Sequence, residues 1–467
     1  MKVSDFIKAT GAKVLSSGQE SFVGVTTDSR DPQIKDKMFI ALLGDVHDAH
    51  KFVESAVRGG APVVVVHSWQ TEWEPLKEKA TFLLVEDTLK ALQSFAKFHR
   101  QKFAGIVIGI TGSNGKTTTK DFTFQILNQE APALASQGSF NNHWGVPLTL
   151  LDIRAHHKFC IVEMGMNHPG ELENLSQLVQ ANVVTVTNVG RAHIGFFKEV
   201  KNIAKAKEEI YIHAPKDCLF AFNMDNEWTR QMMMSHKDHA FKTYSNQDES
   251  TDIYLKVSKT LAKGFEIEGH IGGEKGNARV LVWGEHNVAN LAAAAAMSYI
   301  AGMPAAKIWR ALAKVHTGWG RNQWVSMESG GDILFDGYNA NPDSFATLLK
   351  NIELPLADYK KRIAVFGEML ELGQLSEEEH FDLGRIASQL PWDQAYFIGP
   401  SGEAFRRGWQ SENDGKTPVV LNTYKDFLEL NPLNMVDQHS IVVIKGSRGG
   451  ALERVVEAFK PVNFSRK

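Results

Sequence analysis

Apolar runs of five or six residues recur through the first hundred positions: MFIAL from Met38, APVVVV from Ala61 and TFLLV from Thr81. Short runs rich in branched and aromatic side chains, bounded by polar residues, predict strands. Segments with helical spacing separate them, and TLKALQSFAKFHRQKF from Thr88 predicts a connecting helix. Residues 1–102 are therefore expected to form a small N-terminal α/β domain.

From Phe103 the rhythm becomes strand then helix: GIVIGI then TTTKDFTFQILNQ, KFCIVEM then ELENLSQLVQ, NVVTVTNV then VKNIAKAKEEIYI. Apolar runs alternating with helices imply βαβ units and a mainly parallel sheet. Residues 252–283 break the rhythm with short glycine-separated strands, an expected antiparallel patch, before an alanine-rich helix near Asn287. A central domain over 103–316 follows. After GWGRNQW the alternation resumes with DILFDGYN, RIAVFGEM, QAYFIGP and SIVVIKGS, predicting a C-terminal, doubly wound, Rossmann-like domain over 317–467. The fold class is thus α/β in three domains.

The 467 residues are 43% hydrophobic and 22% charged, which excludes disordered and fibrous classes. The formal charge of -3, with no long run of one sign, argues against nucleic-acid or membrane-surface binding. Cys160 and Cys218 both lie in apolar stretches and read as reduced core thiols. The first residues lack a stretch of signal-peptide length, and no segment is apolar for long enough to span a bilayer, so a cytoplasmic location without membrane insertion is expected.

Chemistry enters at residues 111–117. GIVIGI supplies a strand, Thr111, Gly112, Ser113, Asn114, Gly115 and Lys116 a glycine-rich turn, and Thr117 and Thr118 open a helix. That order of elements makes a phosphate loop: backbone N–H groups and the helix N-terminus face phosphate oxygens, the lysine offsets charge, and the threonine hydroxyl can hold magnesium. Ile110 stands where the general NTPase pattern has its first glycine, and Gly109 comes one residue early.

The form TGxxGKT after an apolar strand, together with VEMG, TNVGRAH, AKAKEEI and GEHNVANLAAA, resembles the Mur ligase family. FNNHWGVPLTLL, DGYNANPDS, VIKGSRGGALE and the N-terminal TDSRDPQIKDKMFIALLG resemble its branch that extends a nucleotide-linked tripeptide. The implied reaction is amide synthesis: ATP phosphorylates the terminal carboxylate of UDP-N-acetylmuramoyl-tripeptide, and the amine of D-alanyl-D-alanine attacks the acyl phosphate. Both substrates are small molecules, and a monomer is expected.

The resemblance implies catalytic roles for Lys116, Glu163, His193 and Lys207, with Thr117, Glu163, His193 and Lys207 as Mg2+ ligands. A carboxylate at a parallel-strand end suits a hard cation. The imidazole is the less usual partner. Lys207 would be carbamylated, becoming an anionic ligand, a modification the sequence itself leaves open; its alternating-charge surroundings otherwise read as a solvated helix face. Asn287 and Asn290, three apart on one helix, can contact adenine or ribose or cap the helix. Arg321 and Asp336 are assigned to the nucleotide, which requires a hinge near 316–320 to bring the third domain over the second. Tyr338, Asn339, Lys445, Ser447 and Arg448 fall in loops after third-domain strands, where a fixed cation can receive a peptide carboxylate. Asn141 and Asn142 are expected on the peptide side, and Ser29 and Arg30 on the uridine diphosphate.

Two other classes fit less well. A folylpolyglutamate synthase-like ligase shares the ATP loop but lacks the hundred-residue block ahead of it. A non-catalytic nucleotide-binding regulator would be expected to have lost Lys116, Glu163, His193 or Lys207, and all four are present.

Overall fold

A computed structural model describes every residue except 45, 46, 191, 193, 262, 371, 414, 416, 463 and 465–467. Five strands, β1 (Lys13–Ser16), β2 (Gly24–Thr26), β3 (Lys37–Ile40), β4 (Val63–Val66) and β5 (Thr81–Leu84), form a sheet in the order β1-β5-β4-β3-β2. β2 to β5 are parallel, and β1 closes the edge antiparallel to β5. All four valines of β4 are buried, as expected for an interior strand covered on both faces.

A second sheet contains β6 (Ile106–Thr111), β7 (Ala133–Ala135), β8 (Phe159–Glu163), β9 (Val183–Val186), β10 (Leu219–Asn223) and β11 (Phe241–Ser245), in the order β7-β8-β6-β9-β10-β11. Every pairing among these six is parallel. The expected glycine-separated ribbon follows as β12 (Ile253–Leu261), β13 (Gly264–Ile271) and β14 (Glu274–Val280), and the alanine-rich helix spans His286–Ile300.

The third sheet holds β15 (Gln323–Ser326), β16 (Asp332–Asp336), β17 (Lys361–Gly367), β18 (Gln394–Ile398), β19 (Val419–Leu421) and β20 (Ser440–Lys445). Its order is β15-β16-β20-β17-β18-β19, parallel throughout except for the antiparallel edge pair β15–β16. The chain packs as two compact units, Met1–Leu255 with Gly269–Gly276 and Asn290–Ala311, and Lys256–Glu268 with Asn277–Ala289 and Leu312–Lys467. The first unit contains the N-terminal sheet and strands β6 to β11 of the second.

Helix Val200–Ile212 shows how the core places a functional group. Its buried positions are Ile203, Ala204, Ala206, Lys207, Ile210 and Tyr211, a stripe at helical spacing. The Tyr211 hydroxyl donates to Ala221 O at 2.9 Å and accepts from Val186 N at 3.0 Å, pinning the helix across β9 and β10. Lys207, one turn earlier on the same face, is carried inward with it. The solvated-face reading of this lysine is thereby overturned: it is 1% exposed.

Helix Thr88–Gln101 is capped by Asp87, whose carboxylate accepts from Leu89 N and Lys90 N at 2.8 and 3.0 Å. At its other end the buried Arg100 donates to Val179 O at 2.9 Å, Gln180 O at 2.7 Å and Phe103 O at 3.2 Å. These carbonyls include the unpaired C-terminal end of helix Glu171–Val179, which a cation suits. Arg100→Ala leaves them without donors and is expected to lower unfolding free energy by about 3 kcal/mol in chemical denaturation. A loss below about 0.5 kcal/mol would mean that water replaces the guanidinium there.

Candidate active site

β6 lies inside its sheet, between β8 and β9; the chain leaves β6 toward the β7 edge and leaves β9 toward β10, so connections diverge at the β6–β9 boundary and a crevice opens beyond their C-terminal ends. The phosphate loop occupies that position, between β6 and helix Lys116–Leu127. Two glycines are required by contact. A Cβ on Gly112 would stand 1.9 Å from Thr187 Oγ1, and one on Gly115, whose φ is +78°, 2.3 Å from Asn290 Oδ1.

The loop is held by the segment after β9. Ser113 N donates to Asn188 O at 2.9 Å, Asn114 N to Asn188 Oδ1 at 3.0 Å, and Thr187 Oγ1 to Asn114 O at 2.6 Å. Lys116 Nζ bends back to Gly112 O at 2.8 Å, which keeps the ammonium over the loop. Thr111 and Thr117 are buried, and Thr118 half-buried, beneath and beside it. Asn290 accepts from Thr119 Oγ1 at 3.3 Å and so packs against the phosphate helix. The Asn287 side chain instead donates to Trp283 O at 2.8 Å, the capping type of contact.

Glu163 ends β8 in register with Ile110 and is 1% exposed, not solvated. Its Oε1 accepts from Asn141 Nδ2 at 2.8 Å and its backbone N–H donates to Ser136 Oγ at 3.1 Å. Its Oε2 is buried with no hydrogen-bond partner among the described residues. A desolvated carboxylate oxygen left open beside a phosphate loop has the chemistry of a hard-cation ligand. The described residues contain no cluster of three or more His, Cys, Asp or Glu that could hold a metal. Magnesium needs no such cage, since it keeps waters and takes phosphate oxygens alongside one or two carboxylates. His193 lies outside the described residues.

Burial drives the pKa of Lys207 well below that of a free lysine, and the nearby Lys116 ammonium lowers it further. Burial and the neighbouring ammonium thus both disfavour a second positive charge in the site.

Asn141 and Asn142 line a cleft of about 420 Å³ with Lys116, Gln93, Asn167 and Glu171. Asn142 Oδ1 also accepts from Gly145 N at 2.9 Å, opening helix Gly145–Leu151. Ser29 and Arg30 do not line this cleft. Arg30 is exposed and bidentate on Asp28, at 2.9 and 3.0 Å, and its guanidinium holds that carboxyl below the usual range. Ser29 is half-buried beside it.

In the second unit, β16, β20 and β17 bring three C-terminal ends together. Asp336 pairs with the fully buried Lys445 and accepts from Asn322 N at 3.2 Å. The Arg321 guanidinium lies 4.2 Å from the Tyr338 ring and that of Arg448 5.3 Å from it. Asn339 is exposed and Ser447 buried, with Ser447 Oγ accepting from Leu370 N at 3.0 Å. Sequence reasoning passed over Glu368 here. Its carboxylate accepts from Ser401 Oγ at 3.0 Å and approaches His380 Nε2 at 3.4 Å, and its carbonyl accepts from Ser447 N at 2.8 Å. The signal was available, a carboxylate directly after the strand run RIAVFG, close to the strand-end place that Glu163 holds in VEMG.

Among known proteins, the Mur ligase middle domain matches residues 110–298 and the Mur ligase glutamate ligase domain residues 320–448. The UDP-N-acetylmuramoyl-tripeptide--D-alanyl-D-alanine ligase of Bacillus subtilis is 31% identical over 443 residues, 93% of this chain and 92% of that protein. A crystal structure of MurF from Acinetobacter baumannii superimposes with a TM-score of 0.88 at 29% identity, covering 98% of both chains. Folylpolyglutamate synthase from Thermotoga maritima shares the fold more distantly, with a TM-score of 0.61 at 14% identity over 79% of this chain.

Gly112→Ala is expected to weaken nucleotide binding by at least about tenfold, read by calorimetry, while the far-ultraviolet spectrum stays that of wild type. Wild-type affinity would show that the close approach to Thr187 is dispensable. Lys207 gives a pH prediction. Between its lowered folded pKa and about 10.4 in the unfolded chain, the unfolded state binds more protons, so stability rises with pH. In CO2-free buffer Lys207→Met should make the denaturation midpoint less steeply pH-dependent across that window, and an unaltered slope would mean that the amine is solvated.

Proposed function

The chain belongs to the Mur ligase family, and we propose that it joins D-alanyl-D-alanine to UDP-N-acetylmuramoyl-tripeptide in an ATP-dependent C–N ligation of peptidoglycan precursor synthesis. The observation that carries this is the match at 31% identity across 93% of the chain. The folylpolyglutamate synthase covers less of the chain at half that identity. No helix among the described residues is long and apolar enough to cross a membrane. A monomer working in the cytoplasm is the reading that fits its small-molecule substrates.

In the first step a terminal carboxylate oxygen of the tripeptide attacks the γ-phosphorus of ATP and the bond to the β-γ bridging oxygen breaks, releasing ADP. Two anions must approach, so positive charge has to be in place beforehand. Lys116 and the loop N–H groups provide it on the phosphate side, and Asn188 keeps the loop in shape. The cleft beside Lys116, with Asn141 and Asn142 in its wall, is suited to the peptide end. In the second step the dipeptide amine attacks the acyl carbon, phosphate leaves with its oxygen, and the amine loses a proton. Arg448, Tyr338, Asn339, Lys445 and Ser447 support the acceptor side, Arg321, Asp336, Asn287 and Asn290 the nucleotide, and Ser29 and Arg30 the uridine diphosphate.

The open Glu163 oxygen, Thr117 and Lys207 would hold magnesium, with His193 as the fourth residue of the set. When bound, the ion offsets charge on the transferring phosphoryl group. Burial and the neighbouring Lys116 both disfavour protonation of Lys207, which suits its amine to attack CO2: an N–C bond forms, one N–H proton leaves to solvent, and the amine becomes a carbamate anion. That sets an anion beside the Lys116 ammonium.

A drop-out assay tests the reaction. Pentapeptide product and phosphate are expected only when ATP, UDP-N-acetylmuramoyl-tripeptide and D-alanyl-D-alanine are all present, and full-rate phosphate release without the peptides would refute a ligase. Lys116→Ala should remove nearly all turnover from a folded protein. Stripping CO2 should lower the rate and bicarbonate restore it, whereas indifference to both would dispose of the carbamate.

A further inference from the structure

Lys120 is 2% exposed, on the phosphate helix, and neither the loop chemistry nor the metal set uses it. It lies four residues after Lys116, hence on the same helix face. Its ammonium donates to Ser136 O at 2.7 Å and Gly138 O at 2.9 Å, with Asp121 at 2.9 Å balancing its charge. Burying an ammonium is costly, so a lysine kept there must gain from each of its donors.

Its two carbonyl partners open the segment that carries Asn141, Asn142 and His143, all three of which line the cleft beside Lys116. Ser136 is tied at three points: its N donates to Ile161 O at 3.0 Å, its O accepts from Lys120, and its Oγ accepts from Glu163 N. Farther along, Gly165 N donates to Asn141 O at 2.8 Å, and a Cβ on Gly165 would press within 2.8 Å of the Asn141 amide. The segment is thus clamped at its far end by close backbone approach and at its near end by Lys120.

We propose that Lys120 is a positioning residue for the donor site: it fastens segment 136–143 to the phosphate helix, so that the wall of the peptide cleft and the carboxylate of Glu163 keep register with the bound nucleotide. Lys120 itself touches neither substrate. The two ends of the reacting system, phosphate loop and peptide wall, are joined through one buried ammonium. This rests on the reading that the cleft takes the UDP-linked tripeptide.

The test compares Lys120→Met and Lys120→Arg with wild type in the full-length protein. Binding of UDP-N-acetylmuramoyl-tripeptide and of ADP is measured by calorimetry, and KM and kcat by product formation. Lys120→Met is expected to weaken tripeptide binding and raise its KM about tenfold, the loss of one to two charge-assisted hydrogen bonds, with ADP affinity within about twofold of wild type. Lys120→Arg, which can still donate to both carbonyls, should recover most of the loss. If Lys120→Met retains wild-type tripeptide affinity, or loses ADP and tripeptide affinity equally, the positioning role is wrong. Should the methionine variant not fold, Lys120→Gln, shorter and uncharged, must show the same selective loss in milder form. Failure of wild type to bind the tripeptide at all would overturn the functional reading instead, separately from the variants.

Discussion

Lys116 and Lys207 stand close enough at one buried site for the charge of the first to depress the protonation of the second, and one oxygen of the buried Glu163 has no hydrogen-bond partner among the described residues. Two like charges held near each other and a carboxylate oxygen shut away from water are both costly in a protein interior. The surrounding structure supplies the rigidity that makes them tolerable. Tyr211 pins the helix that carries Lys207 across two strands, and Asn141 holds one oxygen of Glu163 while leaving the other open. Such a site is poised to take up a polyanion and a hard cation, because both relieve electrostatic cost already present in the fold.

The same topological device operates in both compact units. In an open parallel sheet the carboxyl ends of neighbouring strands border one crevice. β6, flanked by β8 and β9, delivers the phosphate loop, Glu163 and Asn188. β20, flanked by β16 and β17, delivers Lys445, Asp336 and Glu368. The side chains are far apart in sequence in each case, and strand register brings them together: Ile110 opposite Glu163, Asp336 opposite Lys445.

Local signals reached far. Valine-rich runs, the strand–TGSNGKT–helix succession and the glycine-separated ribbon were all legible, because each depends on short-range periodicity and on backbone needs that few residues meet. The parallel character of two of the sheets followed from the alternation of apolar runs with helices. Lys207 was nearly legible too, since it replaces an apolar residue in the stripe Ile203, Ala206, Ile210 and Tyr211, yet its neighbouring charges read as a solvated face. Glu368 went unnoticed although it comes directly after its strand, one place beyond the position at which Glu163 ends β8. Arg30 shows the opposite limit: its guanidinium is engaged by Asp28 two residues away, a local contact that spacing alone did not disclose.

By itself the sequence determined where strands and helices form, where phosphate can be cradled and which residue types were at hand for amide ligation, all consequences of neighbours a few positions apart. Tertiary structure decided which charges are buried, which are paired and which are left open. Desolvation and hydrogen bonding are set by residues tens of positions away. The phosphate loop was visible as a motif; that its shape leans on Thr187 and Asn188, and its far helix on a buried Lys120, exists only once β6, β8 and β9 lie side by side.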